Sequence, residues 1–124
     1  MSKHTHLRAS GEFRHVYAHG KRYDGRSMTA FVCHNELAHH RLGITASRKA
    51  TGQAVERNRA KRLLREMFRL SHSALDTLHL KYDWVFNAKR ALLEVKLNVP
   101  LEEFQGLIAR VARDEASGLN VDGK

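Results

Sequence analysis

Cysteine occurs once in these 124 residues, at Cys33, so no disulfide can form within the chain. Set in the apolar run Phe31-Val32-Cys33, it reads as a small buried hydrophobe. No apolar run approaches the roughly 20 residues of a membrane-spanning helix. The start, Met1-Ser2-Lys3-His4-Thr5-His6, lacks the apolar centre of a signal peptide, so the expectation is a cytoplasmic protein with no membrane partner. Acidic residues are scarce, 13 against 22 Lys and Arg. Asp24, Asp76, Asp83 and Asp114 are scattered, and Glu102-Glu103 fall at an expected helix start, where the dipole favours them anyway. The clustered carboxylates with which a self-sufficient nuclease or phosphatase holds metal ions are missing. The nine histidines stand outside any Cys-x-x-Cys context, and His15 and His19, four apart, could form a weak metal pair on a helix. Gly43 and Gly52 are too far apart to form a phosphate-cradling loop. The chain is equipped to bind rather than to cut, with no catalytic residue and no metal site of its own expected.

What the sequence has is positive charge in one place. Between Arg48 and Arg69 stand eight cations, Arg48, Lys49, Arg57, Arg59, Lys61, Arg62, Arg65 and Arg69, opposed only by Glu56 and Glu66; most of the chain's +9 sits here. On a helix of 3.6 residues per turn, Ala60, Leu63, Leu64, Met67 and Phe68 share one side, the pattern of a packed face. Asn58, Arg62, Arg65 and Arg69 line the other, with Lys61 beside them and Arg57 and Arg59 flanking the N-terminal end. A charge run is ordinarily a solvated face, but such faces mix signs for i, i+4 support. This one is nearly all positive, which points to a polyanionic partner. With a pI near 10.2, the charge has the footprint of a nucleic-acid binder. A duplex-DNA module would need a helix-turn-helix partner or a dimer seam, and neither is evident. A ribosomal or RNA-chaperone protein would fit the charge equally well.

The length suits one α+β domain spanning residues 1–124, with an ordered core over about 7–115 and flexible termini at 1–6 and 116–124. Residues 1–9 read as a loose basic arm. Ser10 is placed to cap a helix from Gly11 to His19, which Gly20 would end in a left-handed conformation. Lys21 to Arg26 reads as a turn, Met28 to His34 and Arg41 to Ser47 as strands joined in a hairpin, although the connecting Asn35–His40 lacks a strong turn dipeptide. The basic helix should run from Gly52 or Gln53 to about Ser71, with Leu75, Leu78 and Leu80 anchoring the connection after it. Tyr82 to Ala88 is aromatic, β-branched and strand-like. Residues 89–98 are ambiguous. Pro100 should open a last helix with Leu101, Phe104, Leu107, Ile108 and Val111 on one face, and Asp114 to Lys124 reads as a polar tail. The ordinary role of Phe13, Tyr17 and Phe31 is core packing, but a single-stranded nucleic acid is held by stacked aromatics beside a cationic groove.

The run Lys49-Ala50-Thr51-Gly52-Gln53-Ala54-Val55-Glu56-Arg57-Asn58-Arg59-Ala60-Lys61-Arg62-Leu63-Leu64-Arg65-Glu66 resembles the signature of the bacterial ribonuclease P protein subunit, Lys-x-x-Gly-x-Ala-Val-x-Arg-Asn-Arg-x-Lys-Arg-x-x-Arg, and meets each fixed position. The flanks agree: Leu7-Arg8 with Phe13, Val16, Tyr17 and Gly20, then Arg41-Leu42-Gly43-Ile44 and Asp83-Trp84-Val85-Phe86, so that the resemblance covers about residues 7–113. It implies a small α/β sandwich like the second domain of ribosomal protein S5, with about four strands and three helices. The basic helix would join two parallel strands by a left-handed crossover, against the right-handed rule that holds in about 98% of cases. It implies a protein that assists a catalytic RNA in removing the 5′ leader of precursor tRNA. The chemistry would belong to that RNA and its Mg²⁺, in a 1:1 protein–RNA complex. Residue by residue, Arg48, Lys49, Arg57, Asn58, Arg59, Lys61, Arg62 and Arg65, extended by Arg69 on the same face, match the segment facing the RNA subunit. Phe13, Tyr17 and Phe31 match the cleft for the leader. The sequence departs from the family between Lys89 and Asn98, where Ala91-Leu92-Leu93-Glu94-Val95 is bulkier and leaves the start of the last helix open.

Overall fold

In the computed structural model, which describes residues 6–118, one four-stranded sheet separates two unequal layers of helix. The chain runs α1 (Ser10–His19), β1 (Lys21–Asp24), β2 (Met28–His34), β3 (Arg41–Thr45), α2 (Arg48–Thr51), α3 (Ala54–Leu70), α4 (His72–Leu75), β4 (Tyr82–Ala88), a 3₁₀ segment (Arg90–Glu94) and α5 (Asn98–Ala116). Strand order is β1-β2-β4-β3. β2 is antiparallel to both neighbours, whereas β3 lies parallel to β4, with α3 in the crossover between them.

Alternation along the strands decides what each layer buries. Met28, Ala30, Val32, Leu42, Trp84 and Phe86 meet Ala60, Leu64, Met67 and Phe68 of α3 and Phe104, Ile108 and Val111 of α5 in the main core. Phe104 stands edge-on to both Trp84 (5.3 Å) and Phe86 (5.1 Å), a geometry that favours the ring quadrupoles. The opposite face carries a smaller cluster, Cys33 and Val85 under Leu7, Phe13 and Val16. Gly43 permits this close approach: a Cβ there would come within 2.8 Å of the Phe13 ring and 2.9 Å of Leu7. The smaller layer covers only part of its face, and the remainder becomes the floor of a cleft.

Several expectations change. β2 and β3 form no hairpin, because β4 lies between them. β4 is buried on both faces and takes an interior position, its polar Asp83 and Asn87 satisfied by hydrogen bonds. Lys21–Asp24 is a strand rather than a turn, held by Tyr23, which is buried and donates to Asp114 at 2.5 Å. Gly20 is extended (φ −80°), not left-handed; its lack of a side chain matters because a Cβ would meet the Val16 carbonyl oxygen at 2.6 Å. Ser10 does not cap α1. Instead the Glu12 carboxylate accepts from the backbone N–H of Arg8 (2.8 Å) and Ala9 (3.0 Å), which holds its pKa below the usual carboxylate value. The basic arm is anchored from His6 onward, with Leu7 donating to the Leu42 carbonyl (2.9 Å) on the free edge of β3. β3 ends at Thr45, and Ser47 caps α2 instead of continuing the strand. Pro100 is the third residue of α5, still within the first turn, whose backbone N–H groups need no helical partner. Asp114 and Glu115 belong to α5 rather than to a tail. Asp114 takes Lys21 (2.8 Å) and Tyr23, while Glu115 takes the backbone of His79 and Leu80 (3.0 Å each) and the Tyr82 hydroxyl (2.5 Å). Of the termini expected to be flexible, 1–6 and 116–124, residues 1–5 and 119–124 lie outside the described residues.

One buried histidine sets a pH limit. His40 accepts at Nδ1 from the Tyr82 backbone (3.0 Å) and from Trp84 Nε1 (3.1 Å). Burial, aided by the charge of Lys81, pushes its pKa down to about 4. The folded state thus favours the neutral ring, whereas the unfolded chain protonates near 6.5. The stabilisation from keeping it neutral is whole above about pH 6.5 and is lost as pH falls towards 4, about 3 kcal/mol in all. Urea unfolding at pH 7, 5.5 and 4.5 should show this decline in the wild type and a shallower one in His40→Gln; equal declines would place its source elsewhere.

Candidate nucleic-acid interface

The cationic face begins where Gly52, at φ +86°, separates α2 from α3; this left-handed backbone suits a residue without a Cβ. Arg48 and Lys49 are exposed on α2. On α3, Asn58, Arg62, Arg65 and Arg69 are exposed and Lys61 is half-buried, opposite the face that enters the core. Arg69 pairs with Glu66. Arg62 and Arg65 have no acidic partner among the described residues, and with His6, Glu66 and Arg69 they line a shallow hollow of about 210 Å³. Arg57 and Arg59 differ from the others. Arg57 Nε donates to the Ala46 carbonyl (3.0 Å), and Arg59 donates to those of Leu93 (3.0 Å) and Val95 (3.2 Å). They brace the β3–α2 junction and the segment before α5, while each guanidinium keeps further N–H donors for a ligand.

Across the sheet, α1 leaves a second hollow of about 450 Å³ lined by Arg8, Ser10, Phe13, Arg14, Tyr17 and Thr45. Of the three expected aromatics Phe13 and Tyr17 line it, and Phe31 adjoins it through Tyr17. Phe13 packs partly into the small cluster, Phe31 is half-buried on the sheet, and Tyr17, 38% exposed, stands edge-on to Phe31 at 4.9 Å. The Arg22 guanidinium lies 5.9 Å from the Phe31 ring. The Tyr17 hydroxyl (2.9 Å) and the Thr45 hydroxyl (2.5 Å) both donate to Asn87 Oδ1. Sequence reasoning missed Arg22, because its strand was read as a turn, and Asn87. The available signal for Asn87 was an amide within the apolar run Trp84–Ala88.

A partly buried ion cluster ties α1 to this floor. Arg41 clamps Asp83, which is 4% exposed, through Nε (2.8 Å) and Nη2 (2.7 Å), and reaches Glu12 of α1 through Nη1 (2.8 Å). Asn35 gives Asp83 one further hydrogen bond at 2.9 Å. The His15 and His19 rings lie 4.6 Å apart on α1. Among the described residues no group of three or more His, Cys, Asp or Glu is placed to hold a metal ion, and no helix is long and apolar enough to cross a membrane.

The protein family described as Ribonuclease P matches residues 1–112. The ribonuclease P protein component of Caldanaerobacter subterraneus is 36% identical over 108 residues, covering 87% of this chain and 90% of that protein. The corresponding protein of Clostridium botulinum (strain Langeland) is 39% identical over 89 residues, 72% of this chain and 78% of that one. Among solved structures, the RNase P protein from Thermotoga maritima superposes with a TM-score of 0.73 at 28% identity, covering 85% of this chain and 96% of that chain. The RNase P protein of Staphylococcus aureus gives 0.72 at 27% identity, covering 87% and 94%.

Proposed function

Because the chain belongs to the ribonuclease P protein family, in which it is the RNA-binding subunit working with the RNase P RNA in tRNA 5′ processing, we propose a division of labour between its two faces. The face formed by Arg48, Lys49, Asn58, Lys61, Arg62, Arg65 and Arg69, with the spare donors of Arg57 and Arg59, docks on the RNA subunit. There it neutralises phosphates and lowers the repulsion between two polyanions. The cleft of Phe13, Tyr17 and Phe31 holds the single-stranded 5′ leader of precursor tRNA by stacking. Phosphodiester hydrolysis and its Mg²⁺ are assigned to the RNA, and one protein serves one RNA. The observation that carries this reading is the pairing of a cationic helix, whose Arg62 and Arg65 lack acidic partners among the described residues, with an aromatic cleft on the other side of the same sheet.

The test is cleavage of a precursor tRNA at low Mg²⁺ by the RNA alone, the protein alone and both together. Activity only in the combined sample is expected, and cleavage by protein alone would overturn the assignment of chemistry. In the same complex, Tyr17→Ala and Phe31→Ala should each weaken precursor binding by about tenfold, from a stacking contribution of about 1–3 kcal/mol per base. Binding of mature tRNA, which has no leader, should change little. Equal losses for both would remove the leader from the cleft.

A further inference from the structure

A third hollow, of about 530 Å³, lies at the C-terminal end of α3 and is larger than either hollow described above. Its size falls within the roughly 300–1,000 Å³ of ligand pockets. The inner wall is mostly apolar and firmly held. Phe68 and Leu75 are buried there, and His40 stacks on Tyr82 with ring centroids 6.0 Å apart at 17°. A backbone N–H and an indole N–H both donate to His40 Nδ1, so the proton of this neutral ring stands on Nε2. Among the described residues, that Nε2–H is the one buried side-chain polar atom without a hydrogen bond; the Leu75 carbonyl acts on the ring but does not meet Nε2 in hydrogen-bond geometry. The rim is cationic. Lys81 has no acidic partner among the described residues, and Arg69 holds Glu66 through Nε and Nη2, which leaves Nη1 for a ligand. Asp76, the acid in the lining, lies 3.7 Å from His72. Arg69 also lines the hollow of Arg62 and Arg65, so one side chain joins the two.

We propose that this hollow is a binding site for one unstacked nucleotide of the RNA subunit, its base against Phe68, Leu75 and His40 and its flanking phosphates towards Arg69 and Lys81. This rests on α3 being the face that docks on that RNA. Arg62 and Arg69 are seven residues apart, about 10 Å along the helix, so a strand that follows the cationic face is carried to the mouth of the hollow. Loops and bulges of a folded RNA present bases splayed out in this way. A nucleotide combines flat apolar faces for the wall, acceptor atoms on its edge for an unmet N–H, and attached anions for the rim. An apolar peptide segment offers only the first of these, and a free phosphate only the last. The aromatic cleft lies across the sheet, so the hollow would anchor the RNA subunit without competing for substrate.

The experiment is chemical probing of base edges in the RNA subunit, free and in the reconstituted complex. The wild-type protein should protect one unpaired base. Ala38→Trp puts an indole in the lining from an exposed position outside helix and strand, and it should restore that base's reactivity. It should also weaken RNA-subunit binding by about tenfold, within the range of one base stacked on side chains. Lys81→Ala should raise the reactivity of the same base and lower the slope of log K against log salt by about 0.7–0.9, one phosphate contact. Lys81 also lies outside helix and strand, so this variant decides the matter if Ala38→Trp folds poorly by thermal unfolding. An Ala38→Trp footprint identical to that of the wild type overturns the proposal, as does a Lys81→Ala variant with unchanged footprint and slope. Binding of an oligoglutamate peptide that Ala38→Trp abolishes, with the RNA footprint unchanged, overturns it too and gives the hollow to an acidic protein. If Arg62→Ala/Arg65→Ala leaves the salt slope of RNA-subunit binding unchanged, the docking face fails and this site with it. If that double variant lowers the slope while Ala38→Trp keeps the wild-type footprint, only the hollow fails.

Discussion

Arg41→Ala should lower the folding free energy by about 3–5 kcal/mol, the cost of leaving a buried carboxylate without its counter-charge. Asp83 is 4% exposed and would keep the Asn35 hydrogen bond but no cation, while Glu12 would lose its tie to the sheet. The planar fork matters as well as the charge. Arg41→Lys restores a cation but cannot make the paired Nε and Nη2 contacts, so its loss should fall between those of the wild type and the alanine variant. Urea unfolding with an unchanged m-value measures both. A second consequence is functional: α1 would be less firmly held, and leader affinity should fall even where the variant is still folded. Replacing both partners, Arg41→Met with Asp83→Leu, should recover much of the stability, because two well-packed apolar groups avoid the desolvation cost. A single-variant loss under about 1 kcal/mol would show that the cluster is solvated and of little structural weight.

The double variant Arg62→Ala/Arg65→Ala should reduce the slope of log K against log salt for RNA-subunit binding by about 1.4–1.8, two phosphate contacts at about 0.7–0.9 each. At about 50 mM salt the corresponding loss of affinity is on the order of a hundredfold, shrinking as salt rises. Both side chains lie on the solvent face of α3, so the thermal midpoint should hardly move. Arg57→Ala and Arg59→Ala should behave differently. Their guanidinium groups also satisfy the carbonyls of Ala46, Leu93 and Val95, so those variants should lose stability together with affinity. An unchanged salt slope in the double variant would show that these arginines face solvent in the complex.

The contrast among the arginines shows what a sequence can and cannot carry. The two faces of α3 were legible because periodicity is local, as were the strand Tyr82–Ala88 and the apolar face of α5. The partners of a charged group are not local. A guanidinium that braces Val95 and one that awaits a phosphate are the same letter, as Arg59 and Arg62 are here. Asp114 and Glu115 looked like the start of a polar tail because their hydrogen-bond donors, Tyr23 and Tyr82, are 91 and 33 residues away. β1 escaped notice because a four-residue strand with one buried side chain has too few positions for alternation to show. The position of β4 between β2 and β3 followed from its two-sided burial, which the apolar run Trp84-Val85-Phe86 already hinted at. The cleft was legible only through resemblance: Phe13 and Tyr17 are i, i+4 on one helix, but nothing in the spacing places Phe31 beneath them.

The strand order β1-β2-β4-β3 also governs how the chain can be made. β2 and β3 are separated by one short loop, yet neither finds its sheet neighbour on that side until residues 82–88 exist. While the ribosome is still adding α3, both strands therefore present open backbone edges, the condition in which β-strands pair wrongly with other chains. The side of α3 that later packs on the sheet has only part of its surface to cover until β4 is inserted. Completion then depends on the last helix to emerge, since Glu115 caps the turn leading into β4 and Asp114 secures β1. Nascent chains halted before about residue 88 should be prone to aggregation, whereas chains carried through Ala116 have every strand edge of the interior closed.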